Sequence, residues 1–323
     1  MIPAAVVHVP GEPPVAATAP PPEPGPGELL IAVTAAPITP LDRLCASGTS
    51  YFGPPEVPYV PGVQGVGVVE RGTDRIPPGT PVWFATTAGM APGHGSMRAR
   101  ACATEDDVVP LPAGVDPVLF AALGLSAVAA EVAMTWRGGL TPGEHVLVLG
   151  AGGVVGQSAV QLARFAGARR VVAAARSQAA RERALRLGAD AVAPLPDGPA
   201  DVADVADALR AACGEPVDLV LDPVFGVAAA AALRVLRPGG RLVNLGSAAG
   251  ETAPLDSATL RSKSLHVRGY TNNELTVPLR AGAVRKIAEL VAAGRLTAEH
   301  ERAPLGAVTD AWTAPVRTVL VPG

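Results

Sequence analysis

The sequence is poor in the residues that build metal centres and covalent staples. Of 323 residues, three are cysteine and five are histidine. Cys45, Cys102 and Cys213 lie far apart and no C-x-x-C occurs. A disulfide framework and a cysteine-rich structural zinc site are therefore both excluded. His8, His94, His145, His266 and His300 form neither an H-E-x-x-H nor a close pair. Lysine is almost missing, with only Lys263 and Lys286. The net charge is −3 and the pI is about 6.0, so no basic footprint points to nucleic acid. The N-terminal MIPAAVVHVPGEPP has no basic region and no long apolar core, so no signal peptide is expected there. The longest apolar stretch, Val118 to Ala130, is interrupted by Ser126 and ended by Glu131. It reads as too short to span a bilayer. These absences lead us to expect a cytoplasmic protein with no nucleic-acid or membrane partner, acting on a small-molecule substrate.

Apolar residues make up 49% of the chain, ample for sizeable cores, and this length suggests two domains. The first 115 residues are dense in Pro and Gly. They hold short strand-like runs at Val6–Val9, Glu28–Ala35, Gly65–Glu70, Pro81–Ala85 and Met97–Ala103. Pro10 to Gly27 reads as a proline-rich connection. After Asp116-Pro117, an N-cap followed by proline at the first helical position, strands alternate with helices. Strands are expected at 146–149, 170–175, 191–193, 217–221, 241–245 and 265–268. Helices are expected at 117–135, 154–167, 178–188, 201–212, 226–236, 256–263 and 281–294. Such alternation gives a doubly wound parallel sheet.

The segment HVLVLGAGGVVGQSAVQLARFAGARRVVAAARS, His145 to Ser177, carries the clearest chemistry. A buried strand runs into Gly150, Gly152, Gly153 and Gly156, then into a helix with Val155, Ala159, Leu162, Ala163 and Ala166 on one face. The spacing is Gly150-x-x-Gly153-x-x-Gly156. Strand, glycine turn and helix together suit a dinucleotide pyrophosphate seated on a helix N-terminus. Gly150, Gly152, Gly153, Val154, Val155 and Gly156 are therefore candidate cofactor contacts. The next strand ends Ala174-Ala175-Arg176-Ser177. It lacks the acid that accepts from the ribose hydroxyls in NAD sites and carries a guanidinium instead. Arg176 suits a 2′-phosphate, Ser177 adds a hydroxyl, and Arg181 and Arg183 add positive potential. The expected cofactor is NADPH. Arg181 and Arg183 read equally well as a solvated helix face paired with Glu182 and Asp190. Asn244, Leu245 and Gly246 close a later strand, at the end where a cofactor ring normally lies.

With these elements placed, the whole chain resembles the medium-chain dehydrogenase/reductase superfamily, and within it the zinc-free quinone oxidoreductase and enoyl reductase branch. PEPGPGELLIAVTAAPITPLD is similar to the family's opening strands and N-P-x-D turn, with Thr39 where Asn is usual. VPYVPGVQGVGVVE resembles its next strand. GLSAVAAEV before LTPGEHVLVLGAGGVVG matches the nucleotide-loop region. VDLVLDPVFG and RPGGRLVNLG match later strands, and AGRLTAEHERAPLGAVTDAW resembles the closing segment.

The resemblance implies an α/β chain: a GroES-like, mostly β catalytic domain, 1–118 and 270–323, around a Rossmann domain, 119–269, with a homodimer joined through the Rossmann sheets. It implies that Ser126 lies near the nicotinamide ribose. The zinc-dependent members place Gly-His-Glu where this chain has Gly62-Val63-Gln64, so no metal is expected. Tyr51, in ASGTSYFGPP, is the candidate catalytic hydrogen-bond and proton donor; it reads equally as an apolar pocket wall. Tyr270 and Asn272 face the same region or form a structural turn. The activity implied is NADPH-dependent, metal-free reduction of a quinone or activated C=C. One alternative is an enoyl-thioester reductase of polyketide or fatty-acyl intermediates. Another, of a different class, is a non-catalytic NADPH-binding regulatory or structural protein.

Overall fold

A computed structural model describes residues 1–322 of the chain. It contains two compact units, Met1–Gly124 with the segment from Val277 onward, and Leu125–Thr276.

The first unit is built on sheets. Strand β1 (Ile2–Val6) pairs antiparallel with β2 (Val15–Ala19), Ile2 opposite Ala19 and Val6 opposite Val15. This strand lies N-terminal to the run expected at Val6–Val9, and the expected proline-rich connection contains β2. The apolar and small residues of β2 lack alternation, so their strand character comes from pairing and not from pattern. Strand β3 (Glu28–Pro37) alternates partly exposed with buried residues over most of its length, the period of a strand with one face in a core. Helix α1 (Pro40–Ser47) follows where a turn was expected. Thr39 and Asp42 form its capping box, Pro40 opens it, and Gly48 ends it at φ 75°, as helix termini require.

Strands β4 (Gln64–Arg71), β5 (Pro81–Ala85), β6 (Arg100–Thr104) and β7 (Val108–Pro110) complete this part of the unit. Helix α2 (Pro117–Val132) is started by the Asp116 carboxylate, which accepts from Val118 N at 2.8 Å. Its backbone breaks at Gly124, φ 27° and ψ −126°. Pro117–Arg137 is 21 residues long with mean hydropathy 1.9, enough by length and composition to cross a membrane. The helix is thus longer than the apolar run Val118–Ala130 on which the sequence reading rested. Phe120, Leu123, Val128 and Met134 of this segment are nonetheless buried in the protein.

The second unit alternates β8 (His145–Leu149), α3 (Val154–Phe165), β9 (Arg170–Ala175), α4 (Gln178–Arg186), β10 (Ala191–Pro194), α5 (Val202–Cys213), β11 (Val217–Asp222), α6 (Gly226–Val235), β12 (Leu236–Asn244), α7 (Ser257–Ser262) and β13 (His266–Gly269). The strands lie in the order β10-β9-β8-β11-β12-β13, all parallel. The order reverses between β8 and β11. In such sheets ligands bind beyond the carboxyl ends of the strands at this reversal. Central strand β8 is buried at every position, as a sheet covered on both faces demands.

The chain then returns to the first unit with α8 (Val277–Ala292), β14 (His300–Pro304), α9 (Val308–Ala311) and β15 (Arg317–Val321). Strand β15 pairs antiparallel with β3, Val319 opposite Pro37. Leu29, Ile31, Phe84, Met97, Val308 and Leu320 share the core.

Candidate functional site

Strand β8 ends in the glycine turn. Gly150 has φ +65°, and a Cβ there would stand 2.7 Å from Val224 Cγ1. A Cβ on Gly156 would stand 2.4 Å from the Gly150 carbonyl oxygen. Only glycine lets α3 approach the turn this closely. Gly153 differs. The nearest atom to a Cβ there is 3.8 Å away, so the fold itself tolerates a side chain. Gly153 is the N-cap of α3 and supplies no side-chain acceptor. The first N–H groups of a helix have no partner within it, which leaves those around Val154 and Val155 available to an anion. Gly152 packs toward Ala180, whose Cβ would be 3.3 Å from a Cβ on Gly152. The turn is tied to β9 by Ala151 N, which donates to Ala174 O at 3.0 Å.

At the end of β9, the Arg176 side chain is 71% exposed and, among the described residues, pairs only with Asp197, at 3.9 Å. A pair this long and exposed contributes little, so the guanidinium is available. Ser177 Oγ accepts from Ala180 N at 3.2 Å and so caps α4, leaving its hydroxyl proton to donate elsewhere. Arg181 is used differently from Arg176. Its Nη1 donates to Ala175 O at 3.0 Å and to Arg176 O, which fixes the strand end that presents Arg176. Other partners also engage the two acids expected to pair on this helix face. Asp190 pairs with Arg164, and Glu182 accepts from Gln178.

The carboxyl ends of β11 and β12 are laced together through Asp222, a residue the sequence reading missed. Its carboxylate is buried. It accepts from Val224 N at 3.0 Å, Phe225 N at 2.8 Å and Asn244 Nδ2 at 3.1 Å. Burial raises its pKa, against the pull of these donors. Asn244 Nδ2 also donates to Gly246 O at 2.8 Å, and Leu245 N to Asp222 O at 2.9 Å. Phe225 is held at φ 59°, a sparsely populated region for a bulky side chain. Strand, Asp and Pro in succession were the available signal, since Asp before a helix start is a capping pattern. Ser126 is buried on α2. Tyr270 donates to Asn272 Oδ1 at 2.7 Å, and Asn272 Nδ2 donates to Leu125 O at 3.1 Å. These two residues form the structural turn.

The first unit assembles a second polar cluster. Asp42 Oδ2 accepts from Thr39 N at 2.8 Å and from Thr39 Oγ1 at 2.6 Å. Its Oδ1 accepts from Val63 N at 2.8 Å. Asp42 is buried, and burial raises its pKa despite these three donors. Arg317 feels the same cluster. Desolvation draws its guanidinium down to about 10, with the Asp42 charge opposing. Cys45 and Tyr59 are buried beside it. A Cβ on Gly89 would stand 2.8 Å from Cys45 Cβ and 3.0 Å from the Tyr59 hydroxyl. Among the described residues that buried hydroxyl has no hydrogen-bond partner. Burial, then the Asp42 charge, raises both acids, with the Cys45 thiol pushed up to about 11. Tyr51 lies apart from this cluster's burial. It is 76% exposed, its ring 4.3 Å from that of Phe52. His94 Nδ1 accepts from Val60 N at 3.2 Å.

This donor set does not fit a zinc ion. Val63 has no ligating atom, Asp42 is consumed by three hydrogen bonds, and catalytic zinc needs three protein ligands. Among the described residues no three His, Cys, Asp or Glu side chains gather as a ligand set.

An open parallel sheet with a glycine turn at its point of reversal, in a chain that also holds a sheet-rich unit, is the architecture of two-domain nucleotide-dependent oxidoreductases. Residues 25–113 match the alcohol dehydrogenase GroES-like domain, and residues 154–289 match a zinc-binding dehydrogenase domain. A quinone oxidoreductase from Lama guanicoe is 30% identical over 250 residues, 76% of this chain and 71% of that protein. The chain belongs to the medium-chain dehydrogenase/reductase superfamily, in its quinone oxidoreductase branch. A phenolphthiocerol/phthiocerol polyketide synthase subunit from Mycobacterium tuberculosis is 35% identical over 158 residues, 49% of this chain. The match spans only 7% of that synthase subunit. Among solved structures, AibC superposes with TM-score 0.86 at 25% identity, covering 100% of this chain and 96% of its own. A probable oxidoreductase from Mycobacterium abscessus superposes with TM-score 0.81 at 29% identity, covering 99% of each chain.

Proposed function

We propose that this chain is an NADPH-dependent reductase of quinones or activated carbon–carbon double bonds that works without a metal. The observation that carries the reading is the Asp42–Val63 contact. A carboxylate, a metal-ligating group by its chemistry, is tied to a backbone N–H, and the neighbouring side chain is apolar. A reductase with no Lewis acid at this position is suited to electron-poor acceptors. They take a hydride directly and ask the protein only for hydrogen bonds and a proton.

The α3 N-terminus at Gly153 would hold the pyrophosphate, and Arg176 with Ser177 the 2′-phosphate. Asp222 and Asn244 order the loop that would border the nicotinamide. NADPH, when bound, supplies the hydride. Tyr51, with its hydroxyl free in solvent, is the proposed proton donor. Tyr59, with its hydroxyl unpartnered beside Asp42, is the rival. Strand β13, exposed at all four residues and paired with β12 at the edge of its sheet, is the proposed seam of a homodimer.

A second reading, an enoyl-thioester reductase, is favoured by the 35% identity to the polyketide synthase subunit. A screen of NADPH oxidation against quinones, enones and enoyl thioesters separates the two. Turnover of quinones or enones is expected. Turnover confined to thioesters would transfer the assignment to the second reading. NADPH binding with no oxidation by any acceptor would make the chain a non-catalytic binder. Elemental analysis should find no stoichiometric zinc, and one zinc per chain lost together with activity would overturn the metal-free mechanism.

A further inference from the structure

The first unit has a half-open pocket of about 450 Å³ that shares no lining residue with the Asp42 cluster. Its walls include the Pro20–Pro22 run, Ala85, Ala103 and Cys102, with Arg98 and His94 as the basic groups. Arg98 is 4% exposed. Among the described residues no side chain pairs with its guanidinium, and its Nε has no hydrogen-bond partner. A buried charge without a partner costs several kcal/mol unless something compensates it.

The acids around the cavity are committed elsewhere or lie in solvent. Asp107 pairs with Arg280 at 2.5 Å and accepts from Thr104 Oγ1 at 2.7 Å. Glu28 Oε2 accepts from Gly25 N at 2.9 Å, and Glu23 is exposed. Since His94 Nδ1 accepts from a backbone N–H, the neutral ring carries its proton on Nε2 and remains a donor. Burial, then the charge of Arg98, lowers its pKa, consistent with two groups near one another.

We propose that this cavity is a binding site for a small monocarboxylate with an apolar body, its carboxylate forked on Arg98. The guanidinium presents parallel N–H groups that match a carboxylate bidentately. The proline and alanine wall suits a hydrocarbon body, and the volume lies within the usual range for small-molecule sites. One unpaired positive charge amid three acids matches a monoanion better than a phosphate dianion. The site stands independently of the reductase reading. Thr86, on the cavity wall, donates to Gly62 O at 2.8 Å, which places the ligand one residue from the turn that carries Val63.

Calorimetric titration of the full chain with benzoate, hexanoate, benzamide and inorganic phosphate tests this. One carboxylate per chain should bind, the uncharged amide should not, and phosphate should bind more weakly. Arg98→Lys should weaken carboxylate binding at least tenfold, and Arg98→Met should abolish it. Without ligand, Arg98→Met should melt at a higher temperature than the parent, because an uncompensated charge has gone. Cys102→Phe, filling the cavity with Arg98 kept, should also abolish binding and leave NADPH affinity unchanged. Absence of carboxylate binding, equal binding of benzamide, tighter binding of phosphate, or undiminished binding in Arg98→Met would each overturn the proposal. A lower melting temperature for Arg98→Met would show that Arg98 is paired within the fold, and would overturn it as well.

Discussion

The two units position polar groups in opposite ways. In the Leu125–Thr276 unit, Gly150, Arg176, Asp222 and Asn244 lie at the carboxyl ends of neighbouring parallel strands, where the N–H groups that open α3 are also placed. In the other unit, Thr39, Asp42 and Cys45 of one helix gather with Tyr59, Val63 and Arg317 from separate segments around a buried carboxylate. The first arrangement is a property of sheet topology and survives changes of side chain. The second depends on packing, so each side chain in it matters singly. The contrast can be broken or sharpened by mutation.

The largest effect is expected at Arg241 in the nucleotide-binding unit. Its buried guanidinium donates to Glu144 Oε1 at 2.8 Å, to Gly139 O at 3.0 Å and to Gly138 O. For Glu144, burial acts to raise the carboxyl, but the donors, Arg241 foremost, outweigh it and the net shift is downward. Arg241→Met leaves that carboxylate only Thr141 N at 2.9 Å and Arg237 at 3.8 Å and should cost about 3 kcal/mol in denaturant unfolding. A loss below 1 kcal/mol would mean that the network does not hold the unit together.

Next comes Tyr51→Phe. A well-placed donor at developing charge is worth about 2.7–4 kcal/mol, so kcat with enones should fall by two to three orders of magnitude on that estimate, with NADPH affinity unchanged. Parental kcat in this variant, with the loss appearing in Tyr59→Phe instead, would move the role into the buried cluster.

Arg176→Ala follows. A charge-assisted phosphate contact contributes about 1.5–3 kcal/mol, so the KM for NADPH should rise roughly ten- to a hundredfold with NADH unaffected. Equal losses with both cofactors would show that Arg176 does not read the 2′-phosphate.

Two glycines of the turn should then separate. Gly156→Ala drives a Cβ into the Gly150 carbonyl and should cost about 1–3 kcal/mol of stability. Gly153→Ala, with its nearest atom 3.8 Å away, should leave the melting temperature unchanged yet weaken NADPH binding. Unchanged binding would remove the pyrophosphate from this position.

The smallest effect concerns pH. Burial lowers the pKa of His145 from 6.5, with the Glu215 charge opposing. Below about pH 6.5 the unfolded chain therefore takes up a proton that the folded chain refuses. Stability should fall as pH drops from 6.5 toward the lowered folded value, by no more than about 1.4 kcal/mol per unit. His145→Gln should flatten that slope in urea titrations at pH 7.5 and 5.5, and an unchanged slope would assign it to other groups.

The nucleotide-binding unit was legible because its signals are local. The β8 run, the glycines and Arg176 fall within one continuous stretch, and periodicity placed α3 and β9 within two residues of their ends. The buried cluster was not legible as a cluster, because Asp42 and Arg317 are brought together only by pairing of β15 with β3. Part of it was nonetheless written locally. Thr39-Pro40-Leu41-Asp42 is a capping pattern with proline at N1, and it signals α1 and the buried carboxylate together. Tyr59 carried no such mark. Its significance lies in a hydroxyl left without a partner, which only three-dimensional packing reveals. Arg98 likewise reads as one more surface arginine until burial and the absence of a counter-charge are known.

The scarcity of thiols acquires a meaning in this light. Quinones and enones are electrophiles that alkylate cysteine, and the attacking species is the thiolate. Cys45 and Cys213 are buried, with burial pushing their thiols up to about 11 and about 12. Burial raises Cys102 as well, with the Glu28 charge adding to it. With a pKa of 11, about one Cys45 in ten thousand is ionised at pH 7. A catalyst proposed to turn over thiol poisons thus carries its own thiols in their inert form, and its working life need not be limited by self-inactivation.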